Sequence, residues 1–283
     1  MKRTIWDDVL HSTIRIEASF PNGVNGTGTG FFYRYNVHGR EIPVIITNNH
    51  VVDGAMKLNF KFTIEDEHGN PVLTNHFNWE VKSVKVFVIR HPKDDVDLCI
   101  IPFAHALQEA ETQGLKLFYR VIDKSDIPNQ QQLIENIATI EEITMVGYPN
   151  GLWDSINNLP ILRRGITATP PHVNYAGKEE FVIDAACFPG SSGSPIFLID
   201  NGSFTDRNGN VTVGQTRVFL LGILYAGPQI VTTGEVRVVD IPTVNRPIAE
   251  TRMMMNLGYV IKSNKLNDFE PIVFSMVNNE RDA

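Results

Sequence analysis

The sequence is dominated by short apolar runs separated by turn-forming residues, and this pattern limits the folds open to it. The strand candidates are 13–18, 31–35, 42–47, 58–64, 81–89 and 98–103 in the first half, and 143–147, 161–167, 181–186, 195–199, 216–225 and 235–241 in the second. Short strands at close spacing are typical of sandwiches and barrels, and not of alternating strands and helices. We therefore expect an all-β protein made of two β units.

Short helices are predicted around and between these two β units. They cover residues 4–11, 106–113, 129–137 and a C-terminal stretch from 244 to about Gly258. Thr4 is a candidate N-cap for the first, because its hydroxyl can accept a hydrogen bond from the first helical turn. Residues 258–261 are a candidate for one more strand. The expected organisation is an N-terminal helix and first β unit over 1–108, a glutamine-rich connection over 109–140, a second β unit over 141–243, and a C-terminal helix and tail over 244–283.

The composition argues against several classes of protein. The 283 residues carry a net charge of −7, with no block of Lys or Arg beyond pairs such as Arg163 and Arg164, so we expect no binding to nucleic acid. No stretch approaches the roughly 18 apolar residues of a membrane-spanning helix, and the first residues lack the pattern of a signal peptide. Cys99 and Cys187 lie in apolar runs and are predicted to be buried free thiols. We expect a cytoplasmic protein without membrane contact, metal or cofactor.

Residues 188–195, with the sequence Phe-Pro-Gly-Ser-Ser-Gly-Ser-Pro, lie between two apolar runs and are predicted to form a tight loop. Gly190 and Gly193 flank a pair of serines. Glycine lets the backbone turn so sharply that amide protons converge while a hydroxyl projects outward. Converging amides beside an exposed hydroxyl are the components of an oxyanion hole and its nucleophile. Because clusters of Gly, Ser and Pro are more often plain turns, a catalytic interpretation requires a base and an acid elsewhere in the chain.

His50 and Asp97 are the candidates for that base and that acid. His50 follows the apolar run 44–46 and begins a short turn, which places it at the rim of a β unit rather than within its wall. Asp97 stands at the edge of an apolar run, where a carboxylate can be buried and hydrogen-bonded to an imidazole. Each residue also has a purely structural alternative. The histidine can be a satisfied structural residue, and the aspartate can complete a turn.

Together these segments resemble the three signature segments of trypsin/chymotrypsin-like serine proteases, with the His segment closest to the bacterial intracellular or HtrA-like branch. They read Thr47-Asn48-Asn49-His50-Val51-Val52, Asp97-Leu98-Cys99-Ile100-Ile101 and Gly190-Ser191-Ser192-Gly193-Ser194-Pro195. The chain order His, Asp, Ser is that of the family. The resemblance covers residues 12–243 approximately, and it implies two six-stranded antiparallel β-barrels with the active site between them.

The resemblance also implies a role for each catalytic residue. Ser192 is expected to be the nucleophile and His50 the general base, while Asp97 fixes the tautomer of the imidazole. The backbone amides of Gly190 and Ser192 are expected to form the oxyanion hole. Ser191 replaces the aspartate that receives a new N-terminal amine in zymogen-activated members. This departure implies an enzyme that is not switched on by N-terminal processing.

The substrate-binding residues follow from the same resemblance. Ala186 is expected at the base of the specificity pocket, and Tyr225, Ala226 and Gly227 are expected to face the cleft, on a strand whose edge pairs with the substrate backbone. No acidic residue occupies the pocket base in this alignment. The expected side chain before the scissile bond is therefore small or medium in size and apolar.

The sequence therefore predicts a serine endopeptidase that hydrolyses peptide bonds in a protein or peptide substrate through an acyl-enzyme on Ser192. Two alternatives stay open. The first is a latent or non-catalytic protease-fold module for sensing or binding, controlled by a regulatory protein partner. The second is an esterase with small substrates, which would turn over esters and no peptides.

Overall fold

The computed structural model describes residues 3–235 and 248–281. Its helices are α1 (Ile5–Leu10), α2 (Asn49–Val52), α3 (Val84–Phe87), α4 (Ala104–Thr112), α5 (Gln130–Glu135) and α6 (Glu270–Arg281), with 3₁₀ turns at Lys124–Asp126, Pro149–Gly151 and Ser263–Phe269. The helices α1, α4 and α5 lie where the sequence predicts them. Thr4 caps α1 as expected, because its hydroxyl accepts a hydrogen bond from the Asp7 amide at 3.4 Å and its own amide donates to the Asp7 carboxylate at 2.7 Å.

The strands account for most of the remaining ordered chain. They are β1 (Thr13–Ser19), β2 (Asn25–Val37), β3 (Arg40–Thr47), β4 (Lys57–Glu65), β5 (Pro71–Val81), β6 (Ile89–Arg90), β7 (Cys99–Pro102), β8 (Leu117–Phe118), β9 (Glu142–Gly147), β10 (Ile161–Thr167), β11 (Glu180–Asp184), β12 (Pro195–Asp200), β13 (Ser203–Thr205), β14 (Val211–Val213), β15 (Arg217–Ala226), β16 (Gln229–Glu235), β17 (Ile248–Met254) and β18 (Leu257–Lys262). The expectation of an all-β protein with short helices is confirmed.

The first β unit is an eight-stranded sheet in the order β5-β4-β1-β2-β3-β7-β6, with β8 paired to β4. Neighbouring strands pair antiparallel. Closure of the six-stranded first barrel that the sequence predicts is not confirmed, because among residues 3–235 and 248–281 no ladder joins β5 to β6. The sheet is larger than expected because β5 extends the hairpin with β4, and because the two-residue strands β6 and β8 add short edges.

The predicted strand over 81–89 is wrong for most of its length. The strand β5 ends at Val81, and residues 84–87 form the single turn α3. Val84 is buried and Val88 packs beside it on the same core, whereas Val86 is 79% exposed. Residues four apart lie on one face of a helix, so the same three valines fit a helical turn as well as a strand.

The second β unit is a closed barrel of six strands in the order β10-β11-β18-β15-β12-β9. Closure removes the free edges that an open sheet exposes. The six-stranded second barrel is therefore confirmed. The strand at 257–262 also confirms the expected additional strand near 258–261, and it places a barrel strand beyond residue 243, where the sequence analysis ends this unit.

The predicted helix from residue 244 to Gly258 is wrong over residues 248–254, which form β17 and pair antiparallel with β16. A short apolar run fits a helix or a strand by its periodicity, and here a pairing partner some twenty residues away decides the outcome. The predicted strand over 235–241 lies, apart from Glu235, outside the described residues. The helix α6 follows later, at Glu270–Arg281. No helix in the described part of the chain is long and apolar enough to cross a membrane.

The hydrophobic core has three parts, one inside each β unit and one between them. Successive side chains of a strand point to opposite faces, so Phe31 in β2 lies in the middle core while its neighbour Phe32 lies in the core of the first sheet. Phe197 from the barrel and Phe269 from the segment after β18 also fill the middle core. Burying each of these rings contributes roughly 1.5–3 kcal/mol. The middle core therefore fixes the two β units and the C-terminal segment against each other.

Candidate active site

His50 lies in α2, directly after β3 ends at Thr47. Its neighbours Val51 and Val52 are buried in the core of the first sheet, which fixes this short helix on the rim of the sheet. The imidazole is left 49% exposed. The predicted position of His50 at a strand end, facing out of the wall of the first β unit, matches the structure.

Asp97 lies two residues before β7 begins at Cys99, between the buried residues Val96 and Leu98. Its Oδ2 lies 2.5 Å from Nδ1 of His50, and its Oδ1 accepts a hydrogen bond from the His50 backbone amide at 3.1 Å. The Asn48 side chain donates to the Asp97 carbonyl oxygen at 2.8 Å. With Nδ1 directed at the carboxylate, the proton of a neutral imidazole is held on that side and the lone pair is left on Nε2. The structure thus brings together the predicted base and acid.

The loop at 188–194 turns sharply at its two glycines, where φ is +84° at Gly190 and +87° at Gly193. Ser191 and Ser194 are buried, and of the three serines only Ser192 is partly exposed. The Ser192 hydroxyl donates to the Tyr225 carbonyl oxygen at 3.4 Å. Within residues 3–235 and 248–281, no hydrogen bond joins this hydroxyl to His50. Ser192 is therefore accessible, but its hydroxyl is turned to a backbone acceptor.

The amides of Gly190 and Ser192 donate no hydrogen bond to any described residue. The Pro189 carbonyl accepts a hydrogen bond at 2.5 Å from the amide of Asn150, which lies in the turn Pro149–Gly151. In a trans peptide the carbonyl and the following N–H point in opposite directions. Anchoring the Pro189 carbonyl on Asn150 therefore aims the Gly190 N–H away from that turn.

A contact between the two β units holds this loop in place. The buried Thr29 of β2 donates its hydroxyl to the Gly190 carbonyl at 2.9 Å and accepts a hydrogen bond from the Tyr148 amide at 3.1 Å. The Thr47 hydroxyl donates to the Thr29 carbonyl at 2.7 Å. A Cβ on Gly193 would lie only 1.9 Å from that same carbonyl oxygen. The backbone of the loop at 188–194 and that of β2 therefore touch directly.

An apolar cavity of about 300 Å³ adjoins Ser192, and the predicted cleft residues Ala226 and Gly227 line it. Ala186 does not line it, and the adjacent Cys187 lies there instead. Burial raises the pKa of the Cys187 thiol to about 11, so the thiol is neutral near pH 7. Among the described residues, no Asp, Glu, Lys or Arg lines this cavity. The cavity is suited to a small or medium apolar group.

Tyr225 and Ala186, the other two predicted substrate-binding residues, do not line this cavity, and each is hydrogen-bonded to a neighbouring side chain. The Tyr225 hydroxyl donates to the Glu180 carboxylate at 2.9 Å, and burial and this neighbouring carboxylate raise the pKa of the phenol. The Ala186 carbonyl accepts a hydrogen bond from the Arg163 guanidinium, which also stacks on Phe188 at 4.8 Å. Across the described residues, no three His, Cys, Asp or Glu side chains cluster so that they could hold a metal ion.

Sequence reasoning did not identify Thr29 or Arg163 as parts of this site. Thr29 belongs to the run Gly26-Thr27-Gly28-Thr29-Gly30, whose small residues are a signal of close backbone approach. Cys187 directly follows the predicted Ala186 in the sequence, and its neighbours in the cavity lining include Phe188 and Pro189. No local signal marks Arg163, whose partners lie more than twenty residues away.

Comparison with known proteins yields a family and several similar structures. The family model described as "Trypsin-like peptidase domain" matches residues 28–205. None of the curated proteins matches the chain significantly. The solved structure of the HtrA-type protease AlgW with a tripeptide is 13% identical with a TM-score of 0.49, and covers 94% of this chain, which spans 61% of that one. The Rv3671c protease from M. tuberculosis in its active form is 15% identical with a TM-score of 0.43, and the match covers 92% of this chain and 79% of that one. Deg5 is 18% identical with a TM-score of 0.44, and the match covers 78% of this chain and 82% of that one.

Proposed function

The chain belongs to the family of trypsin-like peptidase domains, and from this premise we propose that it is a serine endopeptidase that forms an acyl-enzyme on Ser192. The observation that carries the proposal is the 2.5 Å contact between His50 Nδ1 and Asp97 Oδ2. A serine hydroxyl is a weak nucleophile unless a base takes its proton during attack. The Asp97 carboxylate orients the imidazole so that Nε2 of His50 is the free nitrogen.

The proposed reaction has two stages. Ser192 Oγ attacks the carbonyl carbon of the scissile bond while His50 Nε2 takes its proton, and the amides of Gly190 and Ser192 donate to the resulting oxyanion. The carbon–nitrogen bond then breaks, and the imidazolium gives its proton to the leaving amine. A water molecule, deprotonated by His50, attacks the acyl-enzyme and releases the acid, and the proton returns to Ser192 Oγ. Before attack, the Ser192 hydroxyl has to turn away from the Tyr225 carbonyl to which it donates.

The substrate is proposed to be a protein or peptide with a small or medium apolar side chain before the scissile bond. The uncharged cavity beside Ser192, with Ala226 and Gly227 in its wall, supports this preference. The Tyr225 carbonyl, which accepts from the Ser192 hydroxyl in this structure, is proposed to accept a backbone N–H of the bound substrate instead. The buried free thiols Cys99 and Cys187 fit a reducing compartment, and a cytoplasmic location is part of the proposal.

One observation favours a second candidate function, a latent protease-fold module that a regulatory partner switches. The Ser192 hydroxyl is bonded to the Tyr225 carbonyl and not to His50 among the described residues. A partner that occupies the Tyr225 carbonyl would release the hydroxyl. In this alternative the purified protein is inert and the partner supplies the activity.

Labelling with a fluorophosphonate serine probe, followed by turnover of a protein substrate such as casein, separates these candidates. We expect labelling and turnover of the wild type, with a loss on the order of 10⁴-fold in rate for Ser192→Ala and His50→Ala. Ser203→Ala, at an exposed serine of β13, is the matched control and should react as the wild type. A folded wild type that is not labelled would contradict the proposal and favour the latent module. Labelling with ester turnover but no peptide turnover would favour an esterase.

A further inference from the structure

A second cavity, of about 920 Å³, lies between the connection that joins the β units and the outer side of the barrel. Its walls come from 124–133, from the loop 172–179 and from 262–267. It shares no lining residue with the cavity beside Ser192. Its volume is within the range of sites that hold small molecules, about 300–1,000 Å³. The cavity is therefore large enough for a ligand of its own.

The feature that sets this cavity apart is the ammonium group of Lys262, at the end of β18. Lys262 is only 8% exposed, and its Nζ donates to the Asn174 side-chain carbonyl at 2.7 Å. No carboxylate of residues 3–235 and 248–281 forms an ion pair with it. Burial without a countercharge lowers the pKa of this ammonium. A buried unpaired charge costs several kcal/mol, which the protein avoids in most places by pairing or by exposure.

The other charged groups at the cavity are already paired. Glu179 is the acidic residue in the lining, and its carboxylate is bound by Lys265 and by the Asn264 side chain, the latter at 3.1 Å. Lys124 pairs with Glu270 at 2.8 Å. Lys262 is thus left as the cation without a countercharge in this lining.

Unused hydrogen-bond donors line the same cavity. His172 Nδ1 is buried with no described partner and is a donor in the tautomer that carries its proton there, whereas the buried Asn267 Oδ1, likewise without a partner, is an acceptor. Asn174 uses its carbonyl oxygen for Lys262, and its amide nitrogen donates to no described residue. Gln132 likewise uses its carbonyl oxygen, for the Asn129 amide at 2.8 Å. A cation accompanied by idle donors is the complement of an oxyanion, which has charge and only acceptors.

We propose that this cavity binds a small molecule bearing a carboxylate or phosphate group, with that group against Lys262 Nζ and within reach of His172 and Asn174. The proposal does not depend on catalysis at Ser192. The bound oxyanion would supply the countercharge that the protein itself does not give to Lys262. Its affinity then resides in one charged contact that a single substitution removes.

Inorganic phosphate and acetate are the two probes, used in isothermal titration calorimetry and in thermal unfolding at constant ionic strength with chloride as the reference anion. We expect at least one probe to bind the wild type saturably and to raise its Tm. Lys262→Met should weaken that binding about 10-fold or more, because it removes a charge-assisted hydrogen bond. Lys116→Met, at an exposed lysine outside the cavity, makes the same change in net charge and should leave the binding unchanged.

A second measurement tests, without any probe, whether the Lys262 ammonium lacks a countercharge in the native protein. Without any probe, Lys262→Met should be at least as stable as the wild type, because it removes a buried unpaired charge. Binding of one probe and not the other identifies the group as phosphate or carboxylate, and supports the proposal. The proposal is overturned if neither probe binds at millimolar concentration, or if the Lys262 and Lys116 variants bind equally well.

Discussion

Substituting alanine for Gly193 tests whether the loop at 188–194 is held by direct backbone contact with β2. At φ of +87° a Cβ would lie 1.9 Å from the Thr29 carbonyl oxygen and 2.7 Å from Thr47 Oγ1. Gly209, in the turn between β13 and β14, has nearly the same φ of +84° with no atom within 4 Å of the added Cβ. Both variants carry the cost of a left-handed backbone for alanine, about 1–2 kcal/mol. Only Gly193→Ala adds overpacking, about 1–3 kcal/mol more.

The expected losses in the free energy of unfolding are therefore about 1–2 kcal/mol for Gly209→Ala and about 2–5 kcal/mol for Gly193→Ala. The overlap can be relieved only by moving backbone, because the atom nearest the Cβ is a carbonyl oxygen within a sheet. Chemical denaturation of both variants measures the difference, and the rate of fluorophosphonate labelling should fall only for Gly193→Ala. Losses that agree within about 0.5 kcal/mol would refute the reasoning, since surface substitutions vary by that much.

Two further predictions concern buried polar groups. Thr29→Val keeps the shape of the side chain but removes the hydroxyl that donates to the Gly190 carbonyl and accepts from the Tyr148 amide, so it should lower the free energy of unfolding by about 2–4 kcal/mol. Thr29→Ser keeps the hydroxyl and should lower it by only about 1 kcal/mol. Equal losses for the two variants in chemical denaturation would contradict the role of these hydrogen bonds. Burial lowers the pKa of His91 from its ordinary 6.5, so below that pH the unfolded chain binds a proton that the native imidazole does not. The free energy of unfolding should therefore fall as the pH is lowered below 6.5. Urea titrations at several pH values measure this dependence, which His91→Gln should make less steep. An equally steep dependence in the variant would contradict the assignment to His91.

Sequence reasoning works best for strands that are buried on both faces. Residues 143–147 and 195–199 are predicted within one residue of β9 and β12, because strands whose successive residues are buried leave clear apolar runs between turns. The strand β5 escapes prediction because its first half is partly exposed, and only Phe77, Trp79 and Val81 alternate into the core. A half-exposed strand has a weak signal of its own, and its partner β4 determines it.

The candidate site divides in the same way. His50, Asp97 and Ser192 are found because the residues beside each of them form a recognisable local pattern. Thr29 and its partner Gly190 are separated by 161 positions, so their hydrogen bond follows from how the two β units pack. No local pattern in the sequence encodes that packing. The roles of the three predicted residues stay predictions until the labelling experiment is done.

The position of β18 in the barrel has a consequence for the order in which the protein is made. This strand lies between β11 and β15, both of which precede it in the chain. A ribosome releases the chain from its N-terminus, so β11 and β15 emerge without the neighbour that joins them. Phe269, which fills the core between the β units, emerges later still. His50 and Ser192 are thus synthesised before the strand that closes the barrel and before the ring that packs between the two β units.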